Sequence, residues 1–83
     1  MLRKDLNKAF GAVLRSHRKA AKLTQEKLSE KSDIDVKMVS RIENSIRNPS
    51  LNLADSLAHA LGVPLSRLIK ESEDLRQRLS KKK

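Results

Sequence analysis

Thr24-Gln25-Glu26-Lys27-Leu28-Ser29-Glu30-Lys31-Ser32, followed by Asp33-Ile34-Asp35-Val36-Lys37-Met38-Val39-Ser40-Arg41-Ile42-Glu43-Asn44, reads as two short helices folded across a tight turn. Thr24 is placed to cap the first helix, its hydroxyl accepting from an otherwise unpaired backbone N–H. Glu26 then falls in the first turn, where the helix dipole favours a negative charge. Ser32-Asp33-Ile34-Asp35 is rich in residues that favour turns and caps. Ile34 fills the corner, and Asp35 is the expected N-cap of the second helix. Val36, Val39 and Ile42 recur at i, i+3 and i+6, with Val39 and Ile42 turned inward toward Leu28 and Ile34. Lys37, Ser40, Arg41 and Asn44 fall at i, i+3, i+4 and i+7 on the opposite face. A polar stripe of this kind is equally the mark of an ordinary solvated helix face.

The flanking sequence extends the helical pattern. Leu6, Phe10, Val13 or Leu14, and His17 or Ala21 recur at helical spacing, predicting a helix from about Lys4 to Lys22. Lys8, Arg15, Lys19 and Lys22 lie on or near its other face. After the central pair, Ser45-Ile46-Arg47-Asn48-Pro49 is a loop, because Pro49 forbids a helix running through it. Ser50 caps a fourth helix whose stripe is Leu53, Ala54, Leu57, Ala58 and Leu61. Gly62 ends it, and Pro64 sits where a fifth helix starts. Leu65, Leu68, Ser72, Leu75 and Leu79 are spaced like a short heptad seam with a polar centre. That seam fits either an extension packing on a partner chain or a frayed, solvated helix. Lys81-Lys82-Lys83 reads as a disordered basic end. The expectation is one all-α domain over residues 1–83, with residues 70–83 a helical extension or a flexible basic tail.

Charge is distributed unevenly. The formal net charge is +9 over 83 residues. Residues 1–47 hold 12 Lys/Arg against 6 Asp/Glu, and residues 67–83 hold 7 against 3, whereas residues 48–66 hold one Asp and no Lys or Arg. Both ends therefore suit polyanions, while the middle is buried or faces a protein. Phe10 is the single aromatic residue, which argues against modules that stack unpaired bases on aromatic rings. There is no cysteine, so disulfides and thiolate metal sites are excluded. The longest apolar run, residues 9–14, is far too short to span a bilayer. His17 and His59 lack ligand spacing, and no nucleophile, base and orienting acid can be assembled. Neither catalysis nor a cofactor is expected.

An ordered set of short pieces carries a resemblance: L-R-S-H-R, L-T-Q-E-K-L-S, V-S-R-I-E-N, R-N-P-S-L and L-A-H-A-L-G-V-P-L. From about Phe10 to Ile69 the chain resembles the XRE family of helix-turn-helix regulators, which includes the Cro-type phage repressors and the restriction–modification controllers. Three residues depart from the family pattern. Ser29 stands where Ala is usual, Asp33 where the turn often has Gly, and Ser45 where Gly often ends the second helix of the motif. The resemblance implies a five-helix domain with its recognition motif at 25–44, binding double-stranded DNA at a pseudo-palindromic operator, usually as a homodimer. By the same resemblance Val36, Lys37 and Arg41 face base edges, and Ser40 beside them is a candidate for a base or a phosphate. Gln25, Asn44 and Arg47 grip phosphates, and Arg18 and Glu43 form a partly buried ion pair; Lys27, with Arg15 and the N-terminal cations, is a weaker phosphate candidate on charge alone. Arg and Lys suit guanine O6 and N7, and Val suits a thymine methyl.

Like cations repel across a two-fold axis, so the segment without Lys or Arg is the expected dimer surface. It includes Leu61, Val63 and Leu65, continued by Leu68, Ile69 and Leu75. The same residues would also serve simply to close the monomer core. The expected function is transcriptional regulation by operator occupancy, as a repressor or autoregulator in a bacterial or phage-encoded cytoplasmic setting. The alternative is an antitoxin that neutralises a protein toxin and represses its own operon.

Overall fold

Leu14, Leu28, Val39, Ile42, Leu57 and Leu68 are completely or almost completely buried, and they come from five different helices. The computed structural model describes the backbone of residues 2–81 and the side chains of residues 6–79. Within these residues the elements are α1 (Leu2–Ala20), α2 (Gln25–Ser32), α3 (Val36–Glu43), α4 (Leu51–Leu61) and α5 (Leu65–Lys81). Helices α2 and α3 are too short to persist alone. Each survives by contributing a buried side chain or two to the common core: Leu28 from α2, and Val39 and Ile42 from α3. Ile34 closes the corner between them, and Met38 packs against the cluster from the side.

The caps explain where the helices begin. Thr24 Oγ1 accepts from the Lys27 N–H at 3.0 Å, and Ser50 Oγ accepts from the Leu53 N–H at 3.0 Å. Each such cap contributes on the order of 1 kcal/mol. Asp35 occupies the N-cap position of α3, but its side chain makes no capping bond. Its backbone carbonyl starts the helix, accepting from the Met38 and Val39 N–H groups.

Four helices end in one geometry, a residue in the left-handed region. These residues are Lys22, Asp33, Ser45 and Gly62, with φ of 61°, 58°, 61° and 75°. In each case the following residue donates its N–H back to the last turn: Leu23 to Arg18, Ile34 to Ser29, Ile46 to Arg41 and Val63 to Ala58. Glycine adopts this conformation without steric cost, and other residues do not. Only Gly62 is a glycine, so three closures carry some strain. The first of them also shortens α1, which stops at Ala20 rather than running to Lys22.

Helix α5 is continuous through Lys81 and packs chiefly on α1 of the same chain. Ser72, the polar centre, is fully buried and donates its Oγ–H to the Leu68 carbonyl at 2.6 Å. His17 Nε2 of α1 meets Glu71 Oε1 of α5 at 2.8 Å. Leu68 and Ser72 of the seam are thus buried within the chain, Leu65 and Leu75 partly so, and Leu79 at its far end is exposed. Apart from the backbone of Lys81, the basic end at residues 81–83 lies outside the described residues.

One polar contact fixes α3 against α1. The Arg18 guanidinium donates from Nε to Glu43 Oε2 at 2.7 Å and from Nη2 to Glu43 Oε1 at 3.1 Å. Its Nη1 donates to the Leu23 carbonyl at 2.8 Å. The Arg18 side chain is 10% exposed and that of Glu43 1%. The hydrogen bond to Glu43 holds Arg18 above its ordinary pKa, against the opposing effect of burial. Seven residues earlier on α1, Gly11 abuts the end of α3. A Cβ there would lie 2.6 Å from the Ile42 carbonyl oxygen and 2.9 Å from that of Glu43. The close approach therefore requires glycine.

Two outcomes follow. Arg18→Ala or Glu43→Ala strands a desolvated charge and lowers stability by about 3 kcal/mol or more. The double variant loses less than the sum of the singles in a urea-denaturation cycle; additive, near-zero effects would contradict the pairing. Conversely, Lys22→Gly and Ser45→Gly each relieve a left-handed backbone and raise stability by about 0.5–1 kcal/mol in the same assay.

Candidate nucleic-acid interface

Burying Val39, Ile42 and Glu43 leaves the remainder of α3 turned to solvent. Lys37 and Arg41 are exposed one turn apart, and Ser40 and Val36 are half-buried beside them. Among the described residues, no carboxylate lies within ion-pair distance of Lys37, Arg41 or Arg47. An unpaired Arg and Lys on an anchored helix can donate to phosphate oxygens or to acceptors on base edges. Asn44, exposed at the end of α3, reaches the Ser40 hydroxyl with its amide nitrogen at 3.4 Å, a long and weak bond.

The turn after α3 presents Arg47 at its tip. The Ile46 and Arg47 N–H groups both return to the Arg41 carbonyl, at 2.8 and 3.2 Å. Arg41 and Arg47 are thus joined through backbone hydrogen bonds, and the loop follows the helix. Ile46 and Leu51 frame this loop and are 72% and 76% exposed, unusual for large apolar side chains.

Gln25 opens α2, and its Nε2 donates to Glu43 Oε1 at 3.1 Å. The Gln25 side chain is therefore fixed to the buried ion pair, with one amide proton and its carbonyl oxygen left over. Lys27 differs. Its Nζ lies 3.6 Å from Glu30 Oε1, both side chains being mostly exposed, a pair of small energetic value. The structure thus brings Gln25, Glu43 and Arg18 into one cluster. It sets Lys37, Ser40, Arg41 and Asn44 on one face and leaves Lys27 at the edge.

The apolar residues read as a second surface divide. Leu61, Val63, Leu65 and Ile69 are half-buried where α4 passes into α5. Leu68 is 0% exposed and belongs wholly to the monomer core, because α5 turns that position inward where it packs on α1 and α4. Leu75 is half-buried over α1, lining a groove with Ala12, Val13 and Ser16. The periodicity of α5 placed Leu65, Leu68 and Leu75 on one stripe but could not say which helix covers it.

Among the described residues, no group of three or more His, Asp or Glu side chains could hold a metal ion. No helix there is long and apolar enough to cross a membrane. Sequence periodicity missed Gly11, whose signal was a lone glycine inside an amphipathic helix. It also missed the His17–Glu71 contact, which has no local signal at all.

Known proteins share this arrangement. The helix-turn-helix family profile matches residues 14–68. An immunity repressor protein of Bacillus phage phi105 is 36% identical over 61 residues, covering 74% of this chain and 42% of the repressor. The chain thus spans well under half of that relative's length. The clp gene regulator ClgR of Corynebacterium glutamicum superposes with a TM-score of 0.86 at 29% identity, over 90% of this chain and 80% of the regulator. The restriction–modification controller protein C.AhdI of Aeromonas hydrophila gives 0.73 at 37% identity, over 75% of this chain and 94% of the controller. With its α2–turn–α3 unit, the buried Arg18–Glu43–Gln25 cluster beneath it and these matches, the chain belongs to the XRE-type helix-turn-helix family.

Proposed function

We propose that this protein is a sequence-specific double-stranded DNA-binding regulator of transcription that works by occupying an operator. The observation that carries the reading is the unpaired Lys37–Ser40–Arg41 face on a helix clamped from below. Helix α3 has eight residues and is about 12 Å long, and B-DNA's major groove admits a helix. In this reading Val36, Lys37, Ser40 and Arg41 meet base edges. Gln25, Asn44 and Arg47 grip phosphates on either side, and Lys27 adds charge at the rim. Repression is the default outcome, since bound protein excludes polymerase by occupancy alone. The phage and controller relatives support the same class.

One recognition helix contacts only a few base pairs. A two-fold dimer would set two of them in successive major grooves, roughly 34 Å apart. The half-buried Leu61, Val63, Leu65 and Ile69 support that dimer. They lie together, apolar, in or beside the segment without Lys or Arg. Leu68 is fully buried and is left out of the surface, and Leu75 lies farther along α5 in the groove over α1.

Selection of bound sites from a random duplex pool tests the function directly, and recovery of no enriched sequence would refute it. With the selected operator, Lys37→Ala and Arg41→Ala each cost about 1–3 kcal/mol and relax discrimination at one or two base pairs. An equal loss on operator and random DNA would reassign them to phosphate. For the dimer, Leu65→Asp raises the dissociation constant for self-association in sedimentation experiments while leaving helicity intact. A wild-type chain that stays monomeric and binds an asymmetric site one-to-one would refute the two-fold arrangement.

A further inference from the structure

The flank of α1 carries cations that the reading of α3 does not use. Lys8, Arg15 and Lys19 are exposed and border an open groove with Ala12, Ser16, Asn44 and Ser45. Its form follows from the fold. Gly11 lets the last turn of α3 press onto α1, so Asn44 and Ser45 become one wall. Ala12 and Ser16 are small and leave the floor low, while the three long basic side chains rise around it. Glu43 also lines this region, but its carboxylate is taken by Arg18 and Gln25 and its side chain is 1% exposed. Among the described residues, no carboxylate pairs with Arg15 or Lys19. Three cations therefore border one groove whose single carboxylate is already engaged, which gives that flank a positive potential that attracts anions.

We propose that this groove holds DNA backbone phosphates, continuing the phosphate track from Asn44 along α1 through Lys8, Arg15 and Lys19. The proposal rests on the DNA-binding reading above and adds a binding surface on another helix. These cations lie on the flank of α1, apart from the base-facing stripe of α3. Their contribution is accordingly to affinity and salt dependence, and not to sequence choice. The competing physical role is internal. Cations beside the C-terminal end of α3 also complement its dipole, and that role would appear as stability.

The test compares the wild-type chain with the Lys8→Ala/Arg15→Ala/Lys19→Ala variant on the selected operator and on a random duplex, across a salt series. Every phosphate that is no longer neutralised reduces the slope of log K against log salt by about 0.9. The expected result is a slope shallower by about one such unit for each phosphate released. Affinity for both duplexes falls by the same factor, and the urea midpoint does not change. The Lys8→Arg/Lys19→Arg variant keeps the wild-type slope. An unchanged slope overturns the proposal, as does a loss of affinity that merely follows a lower urea midpoint. Saturation of the groove by inorganic phosphate, followed by NMR, with no effect of the triple variant on DNA also overturns it. Failure of the wild-type chain to bind any duplex would remove the underlying reading as well. An unaltered variant of a DNA-binding wild type removes this inference alone.

Discussion

The buried bidentate contact between Arg18 and Glu43 is the constraint on which the rest of the interface depends. Helix α3 is eight residues long and cannot hold its own position. Its apolar side, Val39 and Ile42, sets its depth in the core, but apolar contact is non-directional and tolerates rotation about the helix axis. A planar guanidinium facing a carboxylate through two hydrogen bonds does not. Glu43 is the last residue of α3 and Arg18 lies in the last turn of α1, so the pair fixes how α3 is turned. Gln25 joins the same carboxylate and brings the start of α2 into register. Removing two charges from water is costly, and the pair is tolerated because its polar atoms find partners. No buried side-chain polar atom is left unpaired among the described residues.

Helices α1 and α5 provide the support beneath. The long α1 runs under the motif, and α5 packs along it over the buried Leu68 and Ser72. Ser72 is tolerated in that seam because its hydroxyl returns to a carbonyl of its own helix. The groove beside the two helices, lined by Glu71, Asp74 and Arg78, is polar at its rim. The apolar corner at Leu61, Val63, Leu65 and Ile69 faces elsewhere. The chain therefore keeps its own helix pairing apart from the surface proposed for a second copy.

The strained terminations have a positional logic. Lys22, Asp33 and Ser45 each end a helix; the first and last bracket the α2–turn–α3 unit, and Asp33 forms its turn. Asp33 carries the smallest penalty, since Asp enters the left-handed region more readily than most residues. Ser45 closes α3 where Asn44 and Arg47 emerge. A glycine there would adopt the same left-handed turn without the steric cost, a gain that exceeds the extra freedom it gives the unfolded chain. Local strain at the ends of short helices is supported by the core they share.

Much of this was legible in the sequence because it is written in local patterns. The caps at Thr24 and Ser50, the stop at Gly62, the break around Pro49 and the inward Val39 and Ile42 follow from periodicity and from residues with few conformational options. The outward stripe Lys37, Ser40, Arg41 and Asn44 follows from the same period. A solvated face and a ligand face look alike at that level; the resemblance of the ordered motifs, and not the spacing, separates them. What only the tertiary structure decided is which helix covers which stripe. Leu68 and Leu75 share the periodicity of Leu65, yet α5 turns the first into the core and lays the second over α1. Gly11 reads as a weak point in a helix until the carbonyls of Ile42 and Glu43 are found against it. Arg15 and the N-terminal cations read in the sequence as weak phosphate candidates among mostly solvated charges; only the fold sets Lys8, Arg15 and Lys19 around one groove with Asn44 and Ser45 as a wall. Periodicity fixes the direction of a side chain relative to its own helix axis. Rotation and contact between helices are set by pairs distant in the chain, such as Arg18 with Glu43 and His17 with Glu71, and no local window contains them.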